Sequence, residues 1–316
     1  MRKLSIAAVA LVAGLGVPLA GCSQVAGLKA KMAFKDANVL YQQQDYRKAA
    51  EKYEEAIQAD PNIGRQGAYF FLGNSYDNLY KPARRGEAAN DELLTKAIDY
   101  YKRAAAEEQD PKIKKLALEY LVAAYGPDKL NDPSQSEPMV KQMIEIDPKD
   151  PANYFVLAKI YEDTGNYELA EATLIQARDA RPNDPAVYMQ LAGYYNRQGE
   201  FDKTIEALEA RAQQEPNNPE AYYTIATYYW DKAYRDFRLP EAEKKKHVEA
   251  GVAAVDKAIS LKNDYMDALV YKNLLLRLQA NLEKNPARQQ ALLKEADQLR
   301  DRAQELRKQQ RAGASE

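Results

Sequence analysis

Residues that carry chemistry are scarce in this chain of 316 residues: it has one cysteine, one histidine and one tryptophan. A lone thiol cannot close a disulfide within the chain, and a lone imidazole excludes a metal centre or catalytic relay built on several histidines. That histidine, His247, follows Lys244, Lys245 and Lys246 and reads as a solvated surface residue. Beyond the first 22 residues there is no glycine-rich phosphate loop, no Gly-x-Ser-x-Gly elbow and no kinase-like signature. An excess of one charge is lacking too. With 45 Lys and Arg against 47 Asp and Glu, the chain shows no electrostatic footprint for nucleic acid. The apolar run from Leu4 to Val17 is too short to span a bilayer comfortably. The chain therefore reads as non-enzymatic, with no cofactor and no metal.

Tyrosine and the helix formers are what the sequence has in quantity. Its 23 tyrosines outnumber its 14 glycines, and Ala, Leu, Glu, Lys and Gln run throughout, which fits an all-α fold. Between Pro151 and Pro219 the sequence repeats at an interval of 34: Pro151, Pro185 and Pro219, then Tyr154, Tyr188 and Tyr222, Leu157, Leu191 and Ile225, Ala158, Ala192 and Ala226, and Tyr161, Tyr195 and Tyr229. Asp150, Asp184 and Asn218 are N-cap residues, each followed by proline at the first helical position, where its missing N–H is harmless. Steps of three and four place Tyr154, Leu157, Ala158 and Tyr161 on one helix face. Gly165 and Gly199 suit left-handed C-terminal caps, and Ala170 and Leu174 start the apolar face of a second helix. Neither helix buries its face alone, so neighbouring units must stack.

This helix-turn-helix unit resembles the tetratricopeptide repeat. The resemblance implies a right-handed superhelical solenoid of about six repeats, at 30–63, 66–111, 115–150, 151–184, 185–218 and 219–264. Capping helices follow over 265–311, and a disordered tail over 312–316. The second and sixth repeats carry insertions, one from about Tyr80 to Glu92 and one between Trp230 and Val248. Tyr154, Leu157, Ala158, Tyr161, Ala170, Tyr188, Leu191, Ala192 and Tyr195 define the repeat core. In the family the first helices line a concave groove. Its contact positions carried onto this sequence give Phe34, Asn38, Phe70, Asn74, Phe155, Met189, Tyr223 and Trp230, an apolar stripe edged by amides that would take a partner peptide. The Lys and Arg pattern of carboxylate-clamping members is missing, so recognition of a chain terminus is not expected.

Arg2 and Lys3, the uncharged run and Leu19-Ala20-Gly21-Cys22 form a targeting segment. Its end resembles the bacterial lipoprotein processing box, which implies cleavage of 1–21, a covalent lipid on Cys22 and a short tether over 22–29. Ser23 and Gln24, in place of aspartate, go with outer-membrane placement facing the periplasm. The layout as a whole is similar to pilotin-like and outer-membrane assembly lipoproteins. It implies an exported, lipid-anchored scaffold that binds other envelope proteins or peptides, meets the membrane through its lipid and binds no nucleic acid. Oligomeric state is left open. The alternatives are a self-associating structural lipoprotein and an enzyme with an unrecognised site.

Overall fold

The computed structural model describes residues 19–313. The leader up to residue 18, the last three residues and the side chain of Cys22 lie outside that description. Among the described residues there are fourteen α-helices and no strand. The helices fall into two compact units that divide between Asp147 and Pro148.

The first unit holds α1 (Leu19–Gln42), α2 (Tyr46–Ala59), α3 (Ala68–Leu79), α4 (Ala88–Glu107), α5 (Pro111–Tyr125) and α6 (Pro133–Ile146). The stretch expected as a tether, 22–29, is here part of the first turns of α1. Each helix packs on the next, so the core runs as one seam. Tyr53, Tyr69 and Tyr101 are its largest fully buried side chains. The expected insertion after Tyr80 is a short loop closed by Asn90, whose side chain accepts from Lys81 N–H at 2.9 Å and donates to the carbonyls of Lys81 and Arg84 at 3.1 Å. That plug satisfies backbone groups the loop would otherwise leave unpaired.

The second unit holds α7 (Pro151–Asp163), α8 (Tyr167–Ala180), α9 (Pro185–Arg197), α10 (Phe201–Gln214), α11 (Pro219–Arg235), α12 (Glu241–Leu261), α13 (Met266–Leu282) and α14 (Pro286–Gly313). Asp150, Asp184 and Asn218 each accept a hydrogen bond from the N–H two residues on, at 3.0 to 3.1 Å, with proline at the first turn. Gly165 and Gly199 both stand at φ +77°, the left-handed conformation that only glycine adopts without steric cost. The insertion after Trp230 forms mostly helix: α11 runs on to Arg235 and α12 begins at Glu241, leaving a five-residue turn. On α14, Ala296 and Ala303 are buried, Asp297 pairs with Arg277 of α13 at 2.6 Å, and charged residues face outward. α14 therefore closes this end of the unit with a polar surface.

A bond repeated along the second unit ties each repeat to the chain before it. The hydroxyls of Tyr154, Tyr188 and Tyr222 donate to the carbonyls of Pro148, Pro182 and Pro216 at 2.9, 2.7 and 3.3 Å. The proline ring ends one helix, and the tyrosine six residues later satisfies its carbonyl. In α9 the residue packed to 3% exposure is Tyr194, whose hydroxyl reaches the Tyr167 carbonyl at 2.8 Å. Tyr195, expected in the core, is half-buried and donates to Glu171 at 3.0 Å. Tyr188 is likewise half-buried, because its hydroxyl works at the turn. Tyr154, Leu157, Ala158, Tyr161, Ala170, Leu191 and Ala192 are buried.

Candidate partner-binding surface

The eight residues expected to line a groove do not behave alike. In the first unit, Phe70 and Asn74 are each only 3% exposed, which corrects their placement on a partner surface. Phe70 packs at 5.8 Å from Tyr101 and 5.4 Å from Tyr120, centroid to centroid. Asn74 accepts from the Tyr41 hydroxyl at 2.6 Å and from Asn78 Nδ2 at 2.8 Å and donates to the Tyr101 hydroxyl at 3.2 Å, so its carbonyl oxygen is fully used inside the unit. Asn38 accepts from the Tyr53 hydroxyl at 2.7 Å, and Phe34 packs against that ring at 5.8 Å. Family register alone could not reveal this, because tyrosines at the core positions supply hydroxyls that recruit the amides inward.

The second unit keeps its four candidates half-buried. Phe155, Met189 and Tyr223 take equivalent places on α7, α9 and α11. Met189 Sδ receives Arg211 Nη1 at 2.9 Å. Tyr223 lies 5.2 Å from Tyr265 and 5.3 Å from Tyr271, and Trp230 meets Tyr271 edge-on at 5.6 Å while stacking on Tyr234 at 4.9 Å and 11°. Five rings thus form one wall across α11 and α13. Tyr234 is 60% exposed and Phe237, in the turn beyond, 87%. The sequence signal for Tyr234 was its spacing of four from Trp230 on a helix longer than the repeat requires. Tyr265 and Tyr271 lie in the segment without signature residues, so register could not find them.

His247 is half-buried and not fully solvated. Its ring lies 5.0 Å from Phe201 and 5.8 Å from Tyr229, beside a cleft of about 510 Å³ that Lys232, Leu239 and Glu243 also line. Burial, then the Lys232 charge, pushes its pKa below the ordinary histidine value. Among the described residues no group of three His, Cys, Asp or Glu side chains could hold a metal ion.

Burial raises tyrosine pKa values in both units. Tyr223 and Tyr195 are pushed up to about 12, and Tyr53, Tyr76 and Tyr101 also rise, with burial the largest cause in each. The unfolded phenol titrates near 10 and the folded one higher, so the unfolded chain loses protons first. Stability from these groups is complete below about pH 10 and declines as pH rises through the folded values. Helical circular dichroism should hold to about pH 10 and then fall cooperatively, with phenolate absorbance at 295 nm rising in the same step. Phenolate forming fully while the helix signal stays intact would show that these rings are open to solvent.

The fold and its seam are those of a helical-repeat protein. The repeats are of one kind: the chain carries tetratricopeptide repeats, with models of that description matching residues 37–63, 129–192 and 185–228. A search of curated proteins finds no match. Among solved structures, the C-terminal part of a TPR repeat-containing protein from Cytophaga hutchinsonii superposes with a TM-score of 0.54 at 18% identity, covering 84% of this chain and 95% of that one. A tetratricopeptide repeat protein from Parabacteroides merdae gives 0.45 at 14% identity, over 85% and 99%. MamA from Desulfovibrio magneticus gives 0.39 at 15%, over 62% and 96%.

Proposed function

We propose that this chain is a non-catalytic, lipid-anchored scaffold of the cell envelope that holds a segment of another envelope protein against the aromatic wall of its second unit. The observation that carries the binding half is that wall: Tyr223, Trp230, Tyr234 and Tyr271 in ring contact, with Tyr234 and Phe237 turned to solvent. Large rings lose little rotamer entropy on binding and dominate interface energies, so a cluster left open on a folded surface suits an apolar anchor of a partner. The anchoring half is supported by the sequence at Leu19-Ala20-Gly21-Cys22. An acylated Cys22 would confine the wall to one membrane surface and raise its effective concentration towards partners there. Outer-membrane placement, and a part in assembling an envelope complex, belong to this proposal.

Tyr234 and Phe237 are exposed enough to replace without disturbing the fold. Crosslinking in the native envelope, with mass spectrometry of the captured protein, should identify one dominant partner. Trp230→Ala together with Tyr234→Ala should weaken its capture by roughly 30-fold or more. Undiminished capture by the double variant, with helical content unchanged, would end the wall's claim.

A further inference from the structure

An apolar face lies bare at the other end of the chain. Along α1, Val25, Leu28, Met32 and Val39 are 69, 62, 61 and 45% exposed, and steps of three, four and seven place them on one stripe. α1 has 24 residues against 14 in α2, and Ala30 is the first buried side chain among those described on it, so Val25 and Leu28 run beyond the helix pair.

The register shows what this face is elsewhere. Met32 and Val39 correspond in the repeat to Val187 and Tyr194 of α9, which are 0 and 3% exposed, and to Ala68 and Ser75 of α3, both at 0%. In those helices the face is buried on the preceding repeat, as the Tyr194 bond to Tyr167 of α8 shows. Among the described residues no repeat precedes α1, yet it keeps apolar residues there, whereas the outward face of α14 is charged. One end is thus finished for water and the other is not.

We infer that the stretch of α1 from Val25 to Met32 lies flat in the headgroup layer of an anionic bilayer, with Val25, Leu28 and Met32 inserted. The inference takes its occupant from the anchoring proposal above. Val25 is three residues from Cys22, about 4.5 Å along the helix axis, so acyl chains on Cys22 hold this stripe at the lipid surface. Charge agrees: Lys31 and Lys35 are exposed on one side of the stripe, Lys29 on the other is exposed and paired with Glu55 of α2 at 3.5 Å, and Asp36 is the one acid in α1. Lysines flanking an apolar stripe lay their stems along it and offer their ammonium groups to phosphate. The same flanks argue against a second copy, since two such faces would bring Lys31 and Lys35 of each copy together with only Asp36 on α1 to offset them. No helix among the described residues is long and apolar enough to cross a membrane.

The test separates the two proposals. Mass spectrometry of the N-terminal peptide of the native mature protein decides acylation. The unacylated Cys22→Ser chain from residue 22 onward, mixed with vesicles of phosphatidylglycerol and phosphatidylethanolamine, decides the stripe. It should co-sediment with these vesicles and not with phosphatidylcholine ones, and Leu28→Glu with Met32→Glu should lower partitioning roughly tenfold at unchanged circular dichroism. Equal binding by the double variant, or none by the parent, overturns the inference even if Cys22 proves acylated. A parent that is dimeric in solution, and that the double variant converts to monomer, overturns it in favour of a second copy.

Discussion

Replacing Tyr101 by alanine is expected to lower the stability of the first unit by about 3 to 5 kcal/mol, the range for emptying a large buried aromatic site. Tyr101 on α4 is fully buried and in ring contact with Phe70 at 5.8 Å and Tyr120 at 5.3 Å. Its hydroxyl receives Asn74 at 3.2 Å and donates to Asp77 at 3.3 Å, and Asp77 is held in turn by Lys129. Alanine would remove the packing and also leave the Asn74 amide and the Asp77 carboxylate short of a partner in a site that water reaches poorly. Tyr101→Phe separates the two effects: it keeps the ring and should cost only about 1 to 2 kcal/mol. Urea unfolding followed by circular dichroism measures both. Equal losses for the two variants would place the stability in the hydroxyl network and not in the ring.

Enlarging Gly73 to leucine should cost about 3 kcal/mol, at the top of the overpacking range. A Cβ at Gly73 would stand 3.0 Å from the Ala97 carbonyl oxygen and 3.0 Å from the Tyr101 ring, both on α4. The carbonyl belongs to a helix backbone and cannot turn aside, so relief requires α3 and α4 to move apart along their whole seam. The two sites share that contact, so their effects should not add. Gly73→Ala is expected to cost less in a Tyr101→Ala background than alone, without falling to zero, because the Ala97 carbonyl remains. Strict additivity in the double-mutant cycle would mean that α3 and α4 are not in the close contact described.

The sequence carried the repeat because its marks are local. Asp184 caps the helix two residues on, Pro185 fixes one φ angle and Gly199 supplies one left-handed residue, so each acts on its own stretch of backbone and shows in spacing alone. The candidate surface was less legible. Register placed Phe70 and Asn74 on the groove by analogy with positions in other repeats, but the side chains around them decide whether a position faces outward. Here Tyr41 and Tyr101 draw Asn74 into the core, and Tyr101 and Tyr120 enclose Phe70. His247, read as solvated beside three lysines, is half-buried, with one side covered by Phe201, whose ring comes from another helix.

By itself, then, the sequence determined an all-helical chain of stacked pairs, with the places where helices start, stop and touch, because caps, prolines and 34-residue spacing need only near neighbours to act. The tertiary structure alone decided which aromatics are spent and which are open. Tyr194 and not Tyr195 is buried, the rings of α11 and α13 join into one wall, and the α1 stripe is left uncovered. Each of these depends on what a different helix brings alongside, and contacts between distant parts of the chain leave no periodicity to read.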